Sequence, residues 1–154
     1  MIENTEEKAV IRALWDYFMQ CPVMAAGKIN VDYLPAECRG ADVEYSIDTT
    51  PATRIVKRYT NGDSVRQYLF VVRLLTDYTS NVLQNIANCG LFEALAEWLD
   101  EQTRAGMLPA LPAGMEPQVI EAQSTGYLFA TGPTEGKYQI QCRLQYFQEV
   151  KNYG

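Results

Sequence analysis

Between Lys137 and Tyr146 the chain alternates without a break. Tyr138, Ile140, Cys142, Leu144 and Tyr146 are apolar, and Lys137, Gln139, Gln141, Arg143 and Gln145 between them are polar. Successive strand side chains point to opposite faces, so this pattern predicts a long strand with one apolar and one wet face. Burying the apolar face contributes roughly 1.5–3 kcal/mol per large side chain. Gly132-Pro133-Thr134-Glu135-Gly136 supplies turn chemistry ahead of it, and Tyr127-Leu128-Phe129 is the predicted partner strand. The amide-rich wet face suits a contact surface better than a catalytic pocket.

Earlier in the chain the period changes. Val10, Ile11, Leu14, Phe18 and Cys21 recur at helical spacing, which predicts an amphipathic helix from Thr5 to about Gln20, ended by Pro22. Asn4 and Glu7 read as an N-cap with its reciprocal carboxylate. Trp15 and Tyr17 flank the stripe and are read as widening its core face, with a contact to another chain as the alternative. Gly27 to Leu34 alternates as a short strand, with Ile29, Val31 and Tyr33 on one side, and Pro35 stops it; residues 35–41 form a loop. Asp42 to Asp48 alternates with Val43, Tyr45 and Ile47 inward, leaving Asp42, Glu44 and Asp48 on a solvated outer face.

Thr53–Tyr59 and Ser64–Leu75 flank Asn61-Gly62, a pair that favours a type I′ hairpin turn with both residues at positive φ. The first arm carries Arg54, Lys57 and Arg58 and reads as an edge strand. The second is apolar on both faces and belongs in the middle of the sheet. A helix begins at Thr79 or Ser80 and buries Leu83, Ile86, Ala87, Leu91, Leu95, Trp98 and Leu99. Gly90 is either a kink within it or its C-cap, and Gly106 ends it. Met107 to Pro117 is a surface connection, followed by a short strand at Gln118–Ala122.

These elements describe one α+β domain over residues 1–154. Its mostly antiparallel sheet is packed with an N-terminal helix and a long central helix.

Composition narrows the chemistry. The 154 residues include 13 Lys and Arg against 19 Asp and Glu, a net charge of −6, so nucleic acid is not expected as the main partner. There is no histidine, which removes the commonest general base and the commonest transition-metal ligand together. The four cysteines, at 21, 38, 89 and 142, lack metal-ligand spacing and read as buried, reduced thiols. No signal-peptide core or membrane span is visible, and folding in a reducing cytoplasm is expected.

No phosphate-binding loop, nucleophile elbow or calcium loop occurs. No catalytic, metal or cofactor-binding residue is assigned, and no cofactor is expected. The candidate interface consists of Arg54, Lys57, Arg58, Tyr59 and Arg66, with Glu93, Glu97 and Glu101 on the central helix. Opposite patches on one chain suit head-to-tail contact between copies. Two alternatives are a small cytoplasmic enzyme using Tyr, Lys or carboxylates, and an adaptor that binds another protein through the basic arm.

The blocks Val82-Leu83-Gln84-Asn85-Ile86-Ala87-Asn88-Cys89-Gly90, Phe92 and Ala96-Glu97-Trp98-Leu99 resemble minor capsid or tail proteins of Gram-positive prophages. So do Gly27 to Leu34, Val56-Lys57-Arg58-Tyr59, Gly126-Tyr127-Leu128-Phe129 and Tyr138-Gln139-Ile140-Gln141-Cys142, in order across nearly the whole chain. These proteins are similar in layout to the tail terminators of long-tailed phages. The resemblance implies a hexameric ring at the end of the tail tube, which stops tube growth and offers the head a docking surface. It implies self, tail tube and head–tail connector proteins as partners, no membrane, and a final location in the virion tail or neck.

Overall fold

A computed structural model of the protein describes residues 5–25, 28–32, 43–77, 82–131 and 135–150. Expectations placed on Asn4, Tyr33 to Asp42, Thr79, Ser80 and the turn at 132–134 lie outside these residues, as do those on the side chains of Glu7, Leu83, Ile86, Ala87 and Cys89.

Helix α1 spans Thr5–Phe18, and a 3-10 turn at Pro22–Met24 follows it. Strands β1 (Lys28–Val31), β2 (Val43–Thr49), β3 (Ile55–Arg58) and β4 (Ser64–Asp77) precede helix α2 (Val82–Ala105). Strands β5 (Met115–Ala122), β6 (Tyr127–Thr131) and β7 (Glu135–Gln148) complete one mixed sheet of seven strands. The α+β reading is borne out, including the order of helices and strands.

The long alternating strand is β7, and it pairs along its whole length with β4, from Ser64 opposite Gln148 to Asp77 opposite Glu135. This central pair organises everything else. On the outer side of β4, β2 pairs with Phe70–Thr76 and β3 with Ser64–Arg66. On the outer side of β7, β6 pairs with Gly136–Gln139 and β5 with Cys142–Gln148. One end of the sheet therefore reads β1-β2-β4-β7-β6 and the other β3-β4-β7-β5. Among the described strands, only β1 and β2 run parallel.

Alternation decides the faces. Tyr138, Ile140, Cys142, Leu144 and Tyr146 of β7, with Tyr68, Phe70, Val72 and Leu74 of β4, are all buried on one face. Val10, Leu14 and Phe18 of α1 and Phe92, Leu95 and Leu99 of α2 close the core above them. The two helices meet through aromatic rings, with Trp98 5.1 Å from Tyr17 and 6.2 Å from Phe18. Trp15 packs against this core and donates its indole N–H to the Ile29 carbonyl, as the core reading requires.

Several local expectations are corrected. Helix α2 runs unbroken through Gly90. It ends in a Schellman motif, with Gly106 at φ +73°, its N–H on Thr103 O and the Met107 N–H on Gln102 O. The Asn61-Gly62 turn is not type I′, because Gly62 has φ +98° but Asn61 keeps a negative φ. Tyr59 N donates to Asp63 O and Gly62 N to Tyr59 O, a three-residue loop whose last residue is left-handed. Strand β5 begins at Met115 rather than Gln118, and it tolerates Pro117 because that residue lies at a bulge on an edge strand.

Candidate interaction surfaces

The basic arm is an edge strand, as its charge implies. Among the described residues β3 pairs only with β4, and Arg54, Val56, Lys57, Arg58 and Tyr59 are exposed. The Lys57 ammonium lies 4.9 Å from the centre of the Tyr59 ring, and that ring packs 6.1 Å from Phe147. Arg66 is half-buried on β4 and donates to Ser64 Oγ at 3.0 Å. The structure thus gathers the predicted basic residues at one corner of the sheet.

Glu93, Glu97, Asp100 and Glu101 are exposed along α2. Helix α2 packs over the half of the sheet built from β5 and β7, across the central pair from β3. Among the described residues, no ion pair joins the acidic helix face to the basic arm. The two patches are separate surfaces of one molecule.

The face of the sheet opposite the helices carries what the sequence reading missed. Glu44 and Asp48 are buried rather than solvated, at 1% and 8% exposure. Arg73, in the middle of β4, explains Asp48: its Nη1 lies 2.7 Å from Asp48 Oδ2, and Ser46 Oγ also donates to that carboxylate. Arg73 Nε donates to Gln139 Oε1 at 3.1 Å, Gln139 donates in turn to Tyr127 Oη, and the Phe129 ring sits 5.2 Å from the guanidinium. A polar row therefore crosses β2, β4, β7 and β6. Arg143 with Glu121 at 3.1 Å and Gln145 with Gln118 at 2.9 Å tie β7 to β5 in the same way. The available signal was Arg73 itself, a cation within the stretch Tyr68–Leu75 that is otherwise apolar on both faces.

Nothing in this array resembles an activated nucleophile. Burial pushes the Cys142 thiol far up and also raises Cys21, so both stay protonated and unreactive. Tyr17 is pushed up to about 12, chiefly by burial, and donates to the Met107 carbonyl at 2.7 Å. Burial likewise raises Tyr45. A cleft of about 340 Å³ beside residues 50–54 is lined by Arg54, Gln67, Tyr68 and Tyr146, and its described lining includes no carboxylate or cysteine. Among the described residues, no three His, Cys, Asp or Glu side chains are grouped as a metal site. Among the described residues, no helix is long and apolar enough to cross a membrane.

No family model and no curated protein matches this sequence. Eight chains of solved structure are similar to it. One of them shares 14% identity over 99% of both chains, with a TM-score of 0.50. At that identity the likeness carries the fold and nothing finer.

Proposed function

We propose that this protein is a structural component of a long-tailed phage or prophage tail. In this reading it is a tail terminator or tail-completion protein that forms a ring on the end of the tail tube and joins tail to head. The observation that carries the reading is the distribution of polar groups. They are spread over a sheet face, an edge strand and a helix face, rather than gathered in a cleft around a reactive group. Surfaces of that kind are suited to other proteins. The blocks that resemble prophage tail proteins supply the particular assembly, and the basic arm and acidic helix face supply two dissimilar patches for contacts with copies and neighbours.

Deletion of the gene from its prophage tests the proposal. Electron microscopy is expected to show tails of unregulated length that fail to join heads, with both defects reversed by supplying the protein in trans. Tails of normal length, joined to heads, would refute it.

A further inference from the structure

Each described edge of the sheet has its own chemistry. β5 is blunted by Pro117, a bulge and the carboxylates of Glu116 and Glu121. β1 is only four residues long and begins with the exposed Lys28. β3 is basic. β6 differs from all three, because Tyr127-Leu128-Phe129-Ala130-Thr131 contains no charge and no proline. Tyr127, Leu128 and Phe129 are exposed at 37%, 40% and 38%, and among the described residues β6 pairs only with β7. An uncharged, apolar edge with unpaired backbone groups is a template for another strand.

We infer that β6 of one copy receives β3 of a second copy, so that the sheet continues from molecule to molecule. Three observations select this occupant. First, β3 has no strand on its outer edge among the described residues and exposes apolar surface at Val56, 51% accessible, and Tyr59, 41%. Second, the side chains are complementary. Lys57, which pairs with Val65 and so lies on the sheet face away from the helices, would meet the rings of Tyr127 and Phe129 on that same face, and the chain already places Lys57 on Tyr59 and Arg73 on Phe129. A β3–β3 contact would instead oppose like charges. Third, β3 and β6 lie on opposite edges and at opposite ends of the β4–β7 pair, so they cannot meet within one molecule. Each copy has one of each, which makes the contact heterologous and lets it propagate into a ring.

The ladder is short. Bulges fall between Ile55 and Lys57 and between Leu128 and Ala130, which takes Val56 and Phe129 out of register with their partner strands. The joint therefore rests on these two apolar side chains as much as on backbone hydrogen bonds.

The inference deepens the proposed self-assembly and rests on it, but its test is independent of the phage. Val56→Cys and Leu128→Cys proteins are mixed and treated with a short bismaleimide, with the unsubstituted protein as background. The expected result is a covalent dimer at least tenfold more abundant in the mixture than with either variant alone. Leu128→Lys and, separately, Val56→Lys should each lower self-association tenfold or more with unchanged circular dichroism, so that a folding failure in one leaves the other as the test. Cross-linking of Leu128→Cys to itself, preferential cross-linking of Val56→Cys to Glu97→Cys, or a protein that stays monomeric at every concentration would overturn the assignment. Tails that still depend on the gene, alongside a failed cross-link, would reject the strand joint and leave the tail role standing.

Discussion

Arg73 on β4 reaches diagonally across the sheet to Asp48 on β2, with 2.7 Å between its Nη1 and the carboxylate Oδ2. The directly opposed residues are Ser46 with Arg73 and Asp48 with Val71, so the pair spans two register positions. Asp48 is 8% exposed, and losing its cation would leave a charge in a largely dry site. Arg73→Leu is therefore expected to lower stability by about 2–4 kcal/mol, somewhat less than for a fully buried pair because Arg73 remains partly exposed. Adding Asp48→Asn should recover part of that loss. Urea denaturation of the two single variants and the double variant measures the coupling, and simple additivity would rule the pair out as a unit.

Of the described glycines, Gly126 is the one where an added Cβ would come closest to another atom, the ring of Phe92. A Cβ added at Gly126 would fall 2.5 Å from both Cβ and Cγ of Phe92, whose ring is fully buried. The backbone entering β6 can pass α2 only if this position has no side chain. Gly126→Ala should cost about 1–3 kcal/mol through overpacking. Gly90→Ala is expected to have the opposite effect. That glycine lies inside α2 with nothing within 4 Å of an added Cβ, so alanine should stabilise the protein by about 0.5–1 kcal/mol. Thermal melts of both variants check the pair of signs.

Alkaline pH should unfold the protein progressively. Tyr17 moves from an ordinary value of 10.0 to about 12 on folding, and burial shifts Cys21 and Cys142 up from 9.0 as well. A raised value means that the unfolded chain loses its proton first. The stabilising contribution is thus intact below the unfolded values and disappears as pH rises through the folded ones. The urea midpoint should fall between about pH 9 and pH 12, and Tyr17→Phe should make that fall shallower. An unchanged midpoint across this range would contradict the assignment.

Cys21 and Cys142, each 1% exposed, should resist a maleimide in the native state and react fully in denaturant. Peptide mapping after brief labelling distinguishes these two sites from the others. Rapid native modification of either would contradict the packing.

Much of this architecture was legible from local pattern. The period of two from Tyr138 to Tyr146 identified the central strand, and the apolar stripe from Val10 to Phe18 identified the first helix. Both follow from backbone geometry, which repeats the same side-chain direction every two or every 3.6 residues. The charge of Arg54, Lys57 and Arg58 placed β3 at an edge for an equally local reason, since a central strand would have to desolvate them.

What the pattern could not supply was which neighbour each strand would face. Asp48 looked solvated because its own strand alternates cleanly; only the docking of β4, with Arg73 opposite Ser46, made a buried carboxylate affordable. Gly90 was ambiguous because a glycine inside a helix costs little beside the burial of Phe92, Leu95 and Leu99, and that burial exists only once the sheet is assembled. The residues alone determined the faces of each element. The tertiary structure decided the order of strands, the two ends of the sheet and therefore which edges stay open, because pairing between distant segments depends on contacts that no local period encodes.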